Sequence, residues 1–324
     1  MSIYYYIENL IDFDVNTELE IDEGLVLKLA PKEQQDLINQ FVLKFGIVPF
    51  DFNLHKYKIE KRLSSGGARL KKRSEDDYRY FVLEHSNTSN YNLFFSRAFL
   101  LMEKEFFIPF GFAKGPKNSQ IGVSIKYSFE ELCAYTYYND QNIEFKNKVS
   151  EVKKFNQNDK AEFLHLMSNL KTFDKKRASF PHISKALDDY FKINEISDNS
   201  VFKAVCYIAC LELLLVDTAM DKLKSINKQL QTKLNLLNNR FEKPIIVSNH
   251  IKGPDTLNLG IVMGIIYNYR SSIAHGDFLD FEKKLKVLEK ISSEDILIFL
   301  RTILRKTILF AIEEPELIRD LKMC

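Results

Sequence analysis

Past about Val149 the sequence becomes one amphipathic segment after another, and that change limits the chain to a mixed first part followed by a bundle of helices. Asp159 to Leu170 carries apolar residues at Ala161, Phe163, Leu164, Leu166, Met167 and Leu170, a helical spacing. Ile183 to Phe191 repeats the pattern over a shorter span. Asn199-Ser200 offers a cap for a third helix through Phe202, Val205, Ile208, Ala209 and Leu211 to Val216, with a continuation to Leu237 left open. Thr256 to His275 is a further helix, and Glu294 to Ile312 closes the chain. Short connections favour antiparallel neighbours in a bundle. The stretch from Cys206 to Val216 is apolar nearly all round, so it belongs at the centre.

Upstream the signals are mixed. Glu20 to Ala30 alternates apolar and polar residues and reads as a strand, and Pro31 then sits at the first position of a helix. Asp77 to Leu83 and Gln120 to Tyr127 read as short strands, whereas Asn90 to Leu101 fits a helix or a strand. The predicted fold class is therefore an α+β N-terminal domain over residues 1–148, followed by an all-α helical bundle over 149–324, mostly helical overall.

Composition narrows the chemistry. With 45% hydrophobic residues in 324, the chain can build a sizeable core and is not a disordered polymer. Only 11 residues are glycine. Phosphate-cradling loops need several, because only Gly lets backbone approach a phosphate so closely. Neither G-x-x-x-x-G-K-[ST] nor G-x-G-x-x-G after a strand occurs, which disfavours nucleotide-binding α/β folds and predicts no nucleotide cofactor. Four cysteines, Cys133, Cys206, Cys210 and Cys324, do not make a zinc set, because no further ligands follow the Cys206–Cys210 pair at suitable spacing. That pair reads as buried structural thiols, and no metal is expected. The first residues lack a basic region followed by an apolar core, so no secretory signal is read. Val205 to Val216 is too short to span a bilayer and contains Glu212, so the expectation is a cytoplasmic protein without a membrane partner.

One stretch carries a possible reaction: Tyr267-Asn-Tyr-Arg-Ser-Ser-Ile-Ala-His-Gly-Asp. Arg270 and His275 lie near the C-terminal end of an apolar helix, with Gly276 placed to cap it. Five residues turn an ideal helix by about 140°, so the two heads diverge unless the last turn loosens. At a helix end both can still reach one cleft. A fixed cation beside an imidazole that exchanges protons near neutral pH can bind a phosphodiester and move protons around it. Arg offers phosphate a planar fork. The pairing needs no metal if the nucleophile is a ribose 2′-hydroxyl, which makes RNA the natural substrate. The plainer reading is that two cations offset the negative end of the helix dipole.

The string Arg-Ser-Ser-Ile-Ala-His-Gly resembles the Arg-x4-His signature of HEPN domains, particularly the Apea-like subgroup with its Tyr-x-x-Arg-Ser-x-x-x-His-Gly. Ala209-Cys-Leu-Glu-Leu-Leu-Leu is similar to that family's central helix, and Lys233 to Phe241 to its next helix. The resemblance covers roughly residues 150–320. It implies a metal-independent endoribonuclease with Arg270 and His275 as catalytic residues, and a homodimer whose motif helices form a composite cleft. It implies a toxin or an antiphage, abortive-infection effector, with a phage or cellular trigger acting at the N-terminal domain. Many catalytic members carry Asn, Asp or His directly after the Arg, whereas here it is Ser271. Some members are non-catalytic dimerisation, RNA-binding or ligand-binding modules, and that is the alternative. An antitoxin-like interaction partner is a third reading, which the acidic first 50 residues would serve.

Supporting candidates surround the motif. Glu212 lies in the most apolar helix, where an unpaired carboxylate is costly, so it is expected to pair with Arg270 or another cation, as a structural bridge or to fix the cleft. One of Tyr267 and Tyr269 should face the cleft, Asn268 shares a helical face with His275, and Ser271 and Asp277 could orient the imidazole. His165 and His182 read as surface or satisfied core residues.

A second patch is basic. The formal net charge is only +2, yet residues 55–73 hold eight cations, Lys56, Lys58, Lys61, Arg62, Arg69, Lys71, Lys72 and Arg73, against Glu60 alone. It reads as an RNA-backbone contact or as a solvated loop balanced by Glu75-Asp-Asp.

Overall fold

The computed structural model describes residues 3–7, 11–13, 19–22, 25–29, 57–62, 68–72, 81–85, 97–104, 110–113, 153–194, 196, 200, 202–217, 225–251, 257–275 and 293–324. Helix dominates them, as the sequence predicts. The chain divides into two compact units, 1–167 and 168–324.

Within the first unit, the strands are β1 (Ile3–Ile7), β2 (Ile11–Phe13), β3 (Leu19–Asp22), β4 (Leu25–Leu29), β5 (Tyr57–Arg62), β6 (Ala68–Lys72), β7 (Phe81–His85), β8 (Phe110–Ala113) and β9 (Lys153–Phe155). Five form a sheet in the order β3-β4-β7-β1-β8, antiparallel throughout. β2 pairs with β9 in parallel, and β5 with β6 as an antiparallel ribbon. The alternating segment after Glu20 is thus split between β3 and β4, and the strand expected at Asp77 to Leu83 is described from Phe81, within β7. The ambiguous Asn90 to Leu101 is helical over 97–101. The helix expected from Pro31 and the strand at Gln120 to Tyr127 lie outside the described residues.

Helix α1 (Gln157–Lys176) crosses the division between the units. Asn156 caps it, its Oδ1 accepting from the N–H groups of Asn158 and Asp159, while Asp159 Oδ2 accepts from Asn156 N at 2.7 Å. Its first half belongs with the first unit: Phe163 meets Phe99 at 4.5 Å between ring centres, and Asp159 pairs with Lys104. Those contacts explain why the division falls after Met167 although the sequence pattern changes near 149.

The second unit holds α2 (Pro181–Ile193), α3 (Phe202–Leu215), α4 (Ile226–Asn238), α5 (Leu259–His275), α6 (Ser293–Glu313) and α7 (Pro315–Met323). α3 touches α2, α4, α5, α6 and α7, the central position its all-round apolar surface demands. Ala204, Ile208, Leu211, Leu214 and Leu215 are all fully buried. α3 does not continue to Leu237. It stops at Leu215, where the side-chain amide of Gln229 exchanges two hydrogen bonds with the backbone of Asp217, and Ser225 then caps α4. Nor does the chain close at Ile312. Pro315 starts α7, whose Ile318 is buried. Lys322 Nζ donates to the carbonyl of Leu213 at 2.6 Å, satisfying one of the carbonyls left open at the end of α3. Lys233 Nζ donates in turn to the carbonyl of Lys322 at 2.8 Å.

Candidate active site at the end of helix α5

α5 is held against α4 by a tight seam at its N-terminal half, where two of its glycines meet polar side chains of α4. A Cβ on Gly260 would stand 2.7 Å from the backbone oxygen of Gln231 and 2.4 Å from Asn235 Nδ2, so only Gly permits this approach. A Cβ on Gly264 would meet Gln231 Nε2 at 2.4 Å. Asn227, Gln231 and Asn235 recur every four residues on α4 and face this stripe. Asn235 Oδ1 accepts from Gly260 N at 2.8 Å, an N–H the first turn of α5 leaves open, and Gln231 Nε2 donates to Asn227 Oδ1 at 2.9 Å.

Farther along, α5 turns a different face to α3. Tyr267 and Arg270, three apart, share that face with Glu212 of α3. Arg270 Nη1 lies 3.4 Å from Glu212 Oε1, Nη2 lies 3.4 Å from Oε2, and Nη1 donates to the Tyr267 hydroxyl at 3.2 Å. The guanidinium also sits over the Tyr267 ring at 5.5 Å. The Nη1–Oε1 approach is an ion pair without hydrogen-bond alignment. Glu212 Oε1 and Arg270 Nε are therefore both buried with no hydrogen-bond partner among the described residues. Side-chain exposures of 32% and 19% place the pair at an accessible edge of the core, where it is neither solvated nor sealed. Burial, and secondarily the Glu212 charge, push the Tyr267 hydroxyl above its ordinary range, which keeps it a proton donor at neutral pH.

Of the two tyrosines beside the motif, Tyr267 faces this cluster and Tyr269, 3% exposed, is core. Asn268 is exposed on the outer face. Ser271 and His275 are in the last turns of α5, which runs unbroken through His275. Their side chains, like Gly276 and Asp277 altogether, lie outside the described residues. The structure thus brings together Glu212, Tyr267 and Arg270, and puts His275 on the same continuous helix.

Burial, with the Asp189 charge second, pushes both Cys206 and Cys210 up, Cys210 to about 12, so neither is a thiolate at neutral pH. His165 is exposed, as expected, but His182 is neither surface nor satisfied. It is half-buried at the start of α2, near the charges of Lys322 and Arg319, with Nε2 buried and unpartnered among the described residues. Among the described residues no group of three or more His, Cys, Asp or Glu is placed to hold a metal ion. No helix of the described residues is long and apolar enough to cross a membrane.

No protein-family model matches the chain, and neither a curated protein nor a solved structure does.

Proposed function

We propose that the second unit is a HEPN-like helical bundle acting as a metal-independent endoribonuclease, with Arg270 and His275 as catalytic residues. The observation that supports this reading is the unsaturated ion pair. Glu212 holds the guanidinium at two long contacts of 3.4 Å, leaving Arg270 Nε buried and without a hydrogen-bond partner among the described residues. A guanidinium aimed and partly neutralised in this way can exchange a carboxylate for a phosphate without moving far. Arg270 orients the scissile phosphate, and the neutral Tyr267 hydroxyl donates to a second phosphate oxygen. The ribose 2′-oxygen attacks phosphorus as its proton leaves, the bond to the 5′-oxygen breaks, and that oxygen takes up a proton, leaving a cyclic phosphate. His275 serves as the base or the acid in this exchange. Two copies meeting through α5 would complete the cleft. The first unit, α+β in this reading, senses a phage or cellular trigger, and the whole is a cytoplasmic toxin or abortive-infection effector.

The test compares wild type, Arg270→Ala and His275→Ala on RNA in EDTA, with growth arrest on expression as a second readout. Wild type should cut, and each variant should lose at least about 100-fold, the usual contribution of a positioned acid or base. Undiminished cutting by either variant contradicts the assignment. A second reading has its own support in the structure: Glu212 already engages both Nη groups, so the pair could be a bridge between α3 and α5 in a non-catalytic module. That reading predicts loss of melting temperature in Arg270→Ala with no RNA cleavage by any form.

A further inference from the structure

The ribbon of β5 and β6 has a register that sorts its charges. Lys58 stands opposite Lys71 and Lys61 opposite Arg69. Because successive positions alternate between the faces of a strand, these four share one face. Tyr57–Lys72, Ile59–Leu70 and Arg62–Ala68 occupy the other. Glu60, the one acidic residue between 55 and 73, falls at the register shift between Ile59 and Lys61 and has no partner position. Strict alternation without that shift would place Glu60 beside Lys58 and send Lys61 to the opposite face. The shift therefore puts Lys61 with Lys58, Arg69 and Lys71 and completes a face of four cations.

Like charges directly opposite each other destabilise an antiparallel pair, and a two-stranded ribbon is marginal alone. Among the described residues β5 and β6 pair only with each other. Such a face gains from neutralisation by a polyanion. We propose that this ribbon is a binding surface for the phosphodiester backbone of a nucleic acid, read through charge and without base specificity. A groove admits a two-stranded ribbon, and cations two positions apart along a strand lie about 7 Å from one another. An anionic membrane fits the four-cation face less well, since its ligands place apolar and basic residues together, whereas Ile59 and Leu70 share the other face with Arg62 and Lys72.

The inference stands apart from the cleavage reading, because binding can be measured without turnover. The probes are labelled single-stranded 2′-O-methyl RNA, which lacks a free 2′-hydroxyl, and duplex DNA, titrated with the full chain over a range of salt. Vesicles of phosphatidylcholine and phosphatidylserine form a third arm. Lys61→Gln/Lys71→Gln should reduce the magnitude of the salt slope for the single strand by about 1.4, two phosphate contacts at about 0.7 each. Arg62→Gln/Lys72→Gln removes the same charge from the other face and should leave the slope unchanged. Binding of RNA, DNA or both with that asymmetry supports the proposal and identifies the source of the backbone. Equal effects of the two pairs, no binding to either nucleic acid, or loss of vesicle binding alone overturns it. Melting temperature should not fall in Lys61→Gln/Lys71→Gln, since opposed like charges are relieved, so lost binding cannot be ascribed to unfolding.

Discussion

The two halves of α5 contrast in how completely their polar atoms are used. Around Gly260 and Gly264 the helix is locked to α4: the backbones approach as closely as sterics permit, and the amides of Asn227, Gln231 and Asn235 bond one another and the backbone of α5. Around Arg270 the helix faces α3 through longer contacts, and a carboxylate oxygen and a guanidinium N–H remain buried without partners among the described residues. Buried polar atoms are almost always satisfied, so the exceptions need a reason. A rigid seam at one end of a helix can hold an unsaturated group at the other in a fixed place, which is what a phosphate-binding site requires.

The sharpest way to break this contrast is at the seam. Gly260→Ala drives a methyl group into the backbone oxygen of Gln231, an obstacle that cannot swing aside. Overpacking of this kind costs about 3 kcal/mol, a fall in melting temperature of about 9 °C for a unit of this size. Gly264→Ala meets only the end of the Gln231 side chain, and the better helix propensity of Ala recovers up to about 1 kcal/mol, so it should stay within about 3 °C of wild type. Equal falls in the two variants would show that the seam is not the lock.

At the other end, Glu212→Gln keeps the shape and removes the charge. Leaving a partly buried guanidinium without its counter-ion costs about 1.5 kcal/mol, near 5 °C, less than for a sealed pair because one third of the Arg270 side chain is exposed. As a positioning residue, Glu212 should also lower RNA cleavage when neutralised. A lower melting temperature with unchanged cleavage would reduce it to a structural bridge.

The smallest effect is on pH dependence. Burial, then the cations Lys322 and Arg319, hold His182 below its usual 6.5, and burial, then Lys306, does the same to His250. The unfolded chain therefore binds protons first as pH falls. Stability is full above 6.5, declines as pH drops below it, and levels off under the folded-state values. Denaturant titrations of His182→Gln/His250→Gln should show a flatter decline than wild type between pH 7 and pH 5. An unchanged slope would remove both rings from that account.

Much of the bundle could be read in advance because its core is periodic. The central place of α3 follows from an apolar surface all round, and the pairing of Glu212 follows from the cost of leaving a carboxylate alone there. What escaped was local punctuation. The break after Leu215 depends on Gln229 bonding the backbone of Asp217, a contact made across a turn that leaves no periodic trace. α7 did carry a signal, Pro315 followed by Leu317, Ile318 and Leu321 at helical spacing, masked by the polar pair Glu313-Glu314 just before it. The amides facing Gly260 and Gly264 look in sequence like an ordinary solvated stripe of Asn and Gln, and only the neighbouring helix shows their purpose. The sorting of cations on the β5–β6 ribbon likewise depends on a bulge at Glu60 that composition does not reveal.

The central claim is that Arg270 is present for a ligand as well as for Glu212, and Arg270→Lys tests it most directly. Lysine keeps the charge opposite Glu212 but cannot present a planar fork to phosphate. Measured on the same preparation, the melting temperature should stay within about 3 °C of wild type while RNA cleavage falls at least about tenfold. A fall in melting temperature with cleavage unchanged would contradict the account and leave Arg270 as a structural bridge between two helices.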